Sequence, residues 1–231
     1  MIEILFTYFD TSIPDEEFDD YFREMPERVR EWINRYSRWQ DRQSALYGRL
    51  LLVEGFKQHA SNVSYDPLQR ITYNVYGRPF IKDAPDFNIS HSGSYVVCSI
   101  ANRGKVGIDI EKIRDIKISD FDKYIPKTYR EKMFPADDQL IKFYKCWTIN
   151  ESVLKAHGCG MSIKDADVLV EDNKIVLNDS AWYLNEILID PGYCCYIATS
   201  IENPAINITA VDFNSKAKPS ATPGRIEKTM L

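Results

Sequence analysis

Polar and apolar positions change period several times along this chain, and each change marks the edge of an element. Residues Glu3–Phe9 alternate enough for a strand. From Pro26 the period becomes helical, with Val29, Trp32, Ile33 and Tyr36 on one stripe. The stripe breaks over residues 37–40, and Asp41 is placed to cap a second helix that turns Leu46, Leu50 and Val53 inward. Short strands are expected at Ile71–Val75, Phe87–Ile89 and Tyr95–Ala101, with turns over 76–79 and 92–94. Val106–Glu111 then alternates strictly, sending Val106, Ile108 and Ile110 to one side and Gly107, Asp109 and Glu111 to the other. Thr128 and Glu131 fit a capping box, and Asp137 or Asp138 is placed to cap a long helix from Gln139 to His157 that Gly158 ends. Five strands are expected after it, at Ala166–Val170, Ile175–Leu177, Trp182–Ile189, Tyr193–Ile201 and Ile206–Phe213.

Helix followed by antiparallel strands thus occurs twice. That order implies an α+β fold of two pseudo-symmetric lobes, each an antiparallel sheet packed with helices. The N-terminal lobe is expected over 1–104, the C-terminal lobe over 105–213, and a mobile tail rich in Lys, Pro, Ser and Thr over 214–231.

Charge narrows the picture. Across 231 residues, 29 basic and 34 acidic side chains leave a net charge of −5, which argues against a general nucleic-acid binder. The first turn-rich stretch is acidic (Asp10, Asp15, Glu16, Glu17, Asp19, Asp20), whereas Arg23 to Arg49 carries seven Arg, no Lys and four acids. An Arg-rich patch in an acidic protein suits a defined anionic ligand. Five Cys without a C-x-x-C pair, beside three His, suggest buried thiols in a reducing compartment rather than zinc or a disulfide framework. With no signal-like N-terminus and no apolar run of about 18 residues, the chain reads as cytoplasmic, with no membrane partner.

Asp109 and Glu111 sit roughly 6.5 Å apart on one strand face, close enough to share a hard cation, and Gly107 on that face leaves room for a ligand. Alone, the pair also describes an edge strand with a solvated acidic face. The long helix changes the balance. Leu140, Tyr144, Trp147, Glu151 and Leu154 form its inward stripe, so Glu151 is a carboxylate among apolar neighbours, with Lys155 one turn on. An intrahelical Glu151–Lys155 ion pair is the plainer reading of those two. Together, three carboxylates and a lysine suit Mg²⁺ and a pyrophosphate, with attack at phosphorus. No Walker motif or G-x-G-x-x-G after a strand is present.

Four segments then match a known family in order and spacing: Tyr76-Gly77-Arg78-Pro79, Phe87–Gly93 (F-N-I-S-H-S-G), Gly107–Lys112 (G-I-D-I-E-K), and Phe143–Gly160 with its W-x-x-x-E-S-x-x-K core. Over most of residues 1–213 the sequence resembles the 4′-phosphopantetheinyl transferases, specifically the two-lobed type that activates peptide synthetases. The resemblance implies transfer of the phosphopantetheine arm of coenzyme A to a serine of an apo acyl or peptidyl carrier protein, in nonribosomal peptide or polyketide biosynthesis. It implies release of adenosine 3′,5′-bisphosphate and a site in the cleft between lobes. By motif, Asp109, Glu111 and Glu151 would bind Mg²⁺, Glu151 would be the base, and Lys155 would touch the coenzyme's phosphates. Ser90 and His91 would meet phosphates, with His91 toward the 3′-phosphate, Tyr76, Gly77, Arg78 and Pro79 would line the adenine end, and Arg28 would be a basic phosphate contact. Two lobes that form one cleft suit a monomer. The pattern departs at Glu31, where a second basic contact is expected, and at Ala45, where a small hydroxyl residue is expected. Arg30, Arg35 or Arg42 could compensate. A non-catalytic coenzyme A or carrier binder, and a Mg²⁺-dependent pyrophosphate hydrolase, are the competing readings. The segment Ile116–Ile125, with Ile118, Phe121 and Tyr124, is either core or a groove for a carrier helix.

Overall fold

The computed structural model describes residues 1–59, 66–118, 121, 139–159, 168–171, 173–213 and 222–223. The capping-box residues Thr128 and Glu131, the candidate caps Asp137 and Asp138, Tyr124, Ile125 and most of 214–231 lie outside the described residues.

The fold is α+β, with two five-stranded sheets. The first holds β1 (Ile2–Tyr8), β4 (Asp86–Ser92), β5 (Tyr95–Ala101), β11 (Ile206–Ala210) and β12 (Thr222–Pro223), in the order β12-β11-β1-β5-β4. The second holds β6 (Val106–Lys112), β7 (Val168–Glu171), β8 (Lys174–Leu177), β9 (Ser180–Glu186) and β10 (Tyr193–Thr199), in the order β6-β10-β9-β8-β7. A short ribbon pairs β2 (Thr72–Tyr73) with β3 (Pro79–Phe80). Helices α1 (Asp15–Arg23), α2 (Glu27–Ile33), α3 (Trp39–His59) and α4 (Pro67–Arg70) belong to the first half, and α5 (Gln139–His157) to the second.

Pairing is antiparallel throughout except that β11 runs parallel to β1, with Ile4 opposite Ile208. That strand was expected in the second lobe, and its sheet is the first. Alternation along 206–213 identifies a strand but not the sheet that receives it. Three other expectations change. The acidic stretch read as turn-rich contains α1, whose first turn holds Asp15, Glu16 and Glu17, where helix N–H groups favour negative charge. Asp41 lies inside the first turn of α3 rather than ahead of it. On α5 the deepest stripe is Cys146, Ile149, Val153 and Ala156, each no more than 1% exposed. Of the expected stripe, Tyr144 and Leu154 are buried, whereas Leu140, Trp147 and Glu151 are half-buried, and Trp147 and Glu151 border the cleft. Such a helix is apolar on more than one side, so its period alone does not rank the faces.

Three apolar clusters hold the layers. Leu46, Tyr47, Leu51 and Phe56 of α3 pack on Leu5, Phe87, Val96 and Ile100 of the first sheet. Cys146, Ile149 and Val153 of α5 pack on Ile175, Trp182, Leu184 and Tyr196 of the second. Between the sheets, Ile2, Ile4, Val97 and Ala101 meet Val106, Ile108, Ile110 and Ile197. The inward face of β6 is therefore the seam of the molecule, and its other face lies under α5. Each large side chain buried in these layers contributes about 1.5–3 kcal/mol.

Candidate active site

Gly107 is where the site is made. A Cβ there would collide with the carbonyl oxygen of Ser152 and with the backbone N and Cα of Ala156, so α5 rests directly on the bare strand. Gly107 leaves room for that helix and not, as the sequence suggested, for a ligand. The same contact overturns the solvated-edge reading of β6: Asp109, two residues on, is 3% exposed. Gly158, in the left-handed region at φ 78°, closes α5 by donating its N–H to the Leu154 carbonyl at 2.8 Å.

With α5 seated this way, its side chains meet those of β6. Asp109 Oδ1 accepts from Lys155 Nζ at 2.5 Å and from Ser90 Oγ at 2.8 Å, and Lys155 Nζ also donates to Ser90 Oγ at 3.0 Å. Asp109 Oδ2 is buried with no hydrogen-bond partner. Glu111 accepts from Ser92 Oγ at 2.8 Å and from Trp147 Nε1 at 3.3 Å. Lys155 pairs with Asp109 across the elements, and no Glu151–Lys155 ion pair is present among the described residues. Burial raises the pKa of both Glu111 and Glu151, and the Asp109 charge raises each further. Lys155 opposes that rise at both residues, as do the Ser92 and Trp147 hydrogen bonds at Glu111.

Strand β4 joins this group to the first sheet. Its alternate residues Asp86, Asn88, Ser90 and Ser92 point at β6: Asp86 accepts from the Val106 N–H at 2.9 Å, Asn88 from the Ile108 N–H at 3.0 Å, and Ser92 from the Lys112 N–H at 3.1 Å. Side chains thus take the place of a neighbouring strand along the edge of β6. His91 faces the opposite way and is exposed into the cleft. The surrounding protein lowers its pKa, and the Lys155 ammonium lowers it further.

Two adjoining cavities result. One, of about 360 Å³, is lined by Ser90, His91, Asp109, Glu111, Glu151 and Lys155, together with Ile89 and Trp147. The other, of about 440 Å³, shares His91, Glu151 and Lys155 and extends past Tyr76, Gly77, Arg78 and Pro79 to Trp32, Arg49 and Tyr73. Ten of the eleven residues singled out in the sequence line one or both. Arg28 lines neither; its guanidinium donates to the Leu68 carbonyl at 2.6 Å.

Arg78 borders the larger cavity, yet its donors are turned to the protein. It forks onto both oxygens of Asp86 at 3.0 and 2.7 Å and bonds the carbonyls of Lys155 at 2.7 Å and Val106 at 3.1 Å. It ties the turn after β2 to β4, to the start of β6 and to the last turn of α5. The sequence reading also missed Arg49, Asn88 and Ser92. Alternate polar residues in D-F-N-I-S-H-S were the available signal for the last two. Ile118 and Phe121 pack on the second core, and Phe121, whose ring lies 5.7 Å from Phe143, also borders a third cavity of about 280 Å³.

The donor set suits a hard cation. Among the described residues no three His, Cys, Asp or Glu side chains converge as a ready-made shell, and Asp109 Oδ1 and both oxygens of Glu111 are engaged by Lys155, Ser90, Ser92 and Trp147. However, an unpartnered Asp109 Oδ2 and two glutamates that resist ionisation beside it form an all-oxygen group that a divalent cation would relieve.

Comparison with known proteins gives a consistent picture. Residues 13–103 match the family model described as 4′-phosphopantetheinyl transferase, N-terminal, and residues 105–198 match that of the 4′-phosphopantetheinyl transferase superfamily. The chain is 28% identical over 220 residues to the 4′-phosphopantetheinyl transferase Sfp of Bacillus subtilis, covering 89% of this chain and 96% of that protein. It is 33% identical over 182 residues to the transferase gsp of Aneurinibacillus migulanus, covering 75% and 73%. A putative 4′-phosphopantetheinyl transferase of Haemophilus influenzae is 32% identical over 191 residues, covering 77% of each chain.

Proposed function

The chain belongs to the 4′-phosphopantetheinyl transferase family, and from that premise we propose that it transfers the phosphopantetheine arm of coenzyme A to a serine of an apo carrier protein of peptide or polyketide synthesis, with Mg²⁺, leaving adenosine 3′,5′-bisphosphate. The observation that carries this is the gathering of Asp109, Glu111, Glu151 and Lys155 around one cavity.

In this reading Asp109, Glu111 and Glu151 hold Mg²⁺, which supplies charge stabilisation at the reacting phosphorus. Glu151 removes the proton of the entering serine hydroxyl. Its raised pKa suits a group that must accept a proton near neutral pH. Lys155, held by Asp109 and Ser90, offers its ammonium to the pyrophosphate oxygens and to the charge that grows on the leaving group. Ser90 fixes Lys155, and His91 points from the other face of β4 toward the coenzyme's phosphates. Tyr76, Gly77 and Pro79 wall the adenine end, while Arg78 holds that turn in place through Asp86. Five free thiols agree with a reducing, cytoplasmic setting, and the lobes, divided near residue 104, work as one monomer.

Chromatography of the products tests the reading against its competitors. Adenosine 3′,5′-bisphosphate should form only when apo carrier is present and should cease when a chelator removes Mg²⁺. Release without carrier would instead indicate a hydrolase, and tight coenzyme A binding without product would indicate a binding module.

A further inference from the structure

The Arg-rich segment 23–49 suggested an anionic ligand without saying which arginine meets it. Among the seven, Arg49 alone borders the larger cavity. Arg23 pairs with Asp20, Arg28 bonds the Leu68 carbonyl, Arg30 bonds the Arg23 carbonyl, and Arg42 bonds Asn34. The remaining arginine of that cavity, Arg78, is committed to Asp86 and two carbonyls.

Arg49 is different in kind. It is 8% exposed, its guanidinium lies over the Trp32 ring at 4.5 Å from the centroid, and Tyr73 lines the same cavity beside it. No carboxylate pairs with it among the described residues; the groups acting on it are Tyr73, Cys98 and Tyr36. A buried guanidinium without a counter-charge is unfavourable, and burial accordingly lowers its pKa. An anion entering the cavity would supply what the protein omits. The stacked, planar fork suits phosphate oxygens better than a lysine would. Lys155, on α5, is already held at the carboxylate end and serves the pyrophosphate in the reading above, and of the two arginines bordering the larger cavity Arg49 on α3, beside His91, is the one placed to meet the second phosphate of the coenzyme.

We propose that Arg49, stacked on Trp32, receives the 3′-phosphate of coenzyme A and makes the enzyme prefer coenzyme A over its 3′-dephospho form. This rests on the transferase reading for the identity of the ligand. It places the phosphate on α3, in a chain whose α2 carries Glu31 where a basic contact was expected and whose α3 carries Ala45 where a hydroxyl was expected.

Steady-state transfer to an apo carrier should be measured with coenzyme A and with 3′-dephospho-coenzyme A. Wild type should favour coenzyme A by about 10-fold or more in kcat/KM, as expected for a charge-assisted fork on a phosphate. Arg49→Gln should bring the two substrates within about twofold by raising KM for coenzyme A, with kcat and the dephospho reaction unchanged. Tyr73→Phe, which removes a hydroxyl beside Arg49 at a residue 57% exposed, should lower the preference severalfold. An unchanged preference in both variants would overturn the proposal. So would an equal loss on both substrates, which is the result expected if Arg49 contacts adenine or only supports the fold. Calorimetry with the same two ligands separates this from failure of the transferase reading. If wild type transfers from neither, tighter binding of coenzyme A that Arg49→Gln abolishes still upholds the phosphate contact, and equal binding overturns it.

Discussion

Replacing Gly107 by Ala adds one methyl group at the place where α5 touches β6. The added Cβ would meet the Ser152 carbonyl and the Ala156 backbone, neither of which can rotate away as a side-chain end could. The helix must therefore lift or slide. Overpacking of this kind costs about 1–3 kcal/mol. For a chain of 231 residues that corresponds to a fall of roughly 2–10 °C in Tm. The functional effect should be larger. Glu151 and Lys155 ride on the displaced helix, whereas Asp109 stays on the strand, and a misplacement of about 1 Å can cost about 100-fold in rate. Gly48→Ala provides the comparison, because its Cβ would meet side-chain atoms alone, the nearest being the Cγ2 of Ile89 at 2.9 Å, a methyl that can shift. Thermal unfolding by circular dichroism, together with transfer kinetics, would measure both. Wild-type Tm and turnover in Gly107→Ala, or an equal effect from Gly48→Ala, would refute the direct seating of helix on strand.

Other consequences can be checked in the same preparations. Arg78→Met takes the fork from the carboxylate of Asp86, 6% exposed, which keeps Lys105 at 3.2 Å and the Val106 N–H, and should cost about 1–3 kcal/mol, read as a lower urea midpoint at unchanged slope. Glu111 and Glu151 have folded-state pKa values above their unfolded ones, so the stability they contribute is present below about pH 4.5 and is lost as pH rises through their folded values. A divalent cation held by these carboxylates, as proposed, would offset that loss. Mg²⁺ should therefore raise the urea midpoint more at about pH 8 than at about pH 5, and an equal gain at both would contradict the assignment. His91 has its pKa lowered, so its contribution is present above about pH 6.5 and is lost on acidification, and His91→Phe should flatten the stability curve on that side.

Much of this was visible in the sequence where one element's own period carries the information. Strict alternation put Asp109 and Glu111 on one face of β6, and α5 ends at His157, ahead of Gly158, as expected. What the period could not carry was the relation between elements. Gly107 looked like space for a ligand because a strand pattern does not say what covers it. The parallel pairing of β11 with β1 depends on which edge is open, a property of the assembled sheet. Arg78 looked like a ligand contact because its partners, Asp86 and the carbonyls of Val106 and Lys155, are far from it in sequence. Arg49 sits in a helix beside fully buried Leu46, Tyr47 and Leu51, and only packing reveals a cation facing a cavity.

The central claim is that Glu151 acts within a carboxylate site that transfers phosphopantetheine. Asp109 is a poor choice for mutation, since its removal strips a buried partner from Lys155. Glu151 is half-buried, and Glu151→Gln keeps its shape while removing the proposed base. The decisive measurement is intact-protein mass spectrometry of an apo carrier incubated with coenzyme A and Mg²⁺. Wild type should add about 340 Da to the carrier, one phosphopantetheine arm delivered by metal-assisted displacement. Glu151→Gln, folded to the same Tm or higher, should add it at least about 100 times more slowly. No added mass across a panel of peptidyl, acyl and polyketide carriers, or a Glu151→Gln enzyme as fast as wild type, would contradict the account.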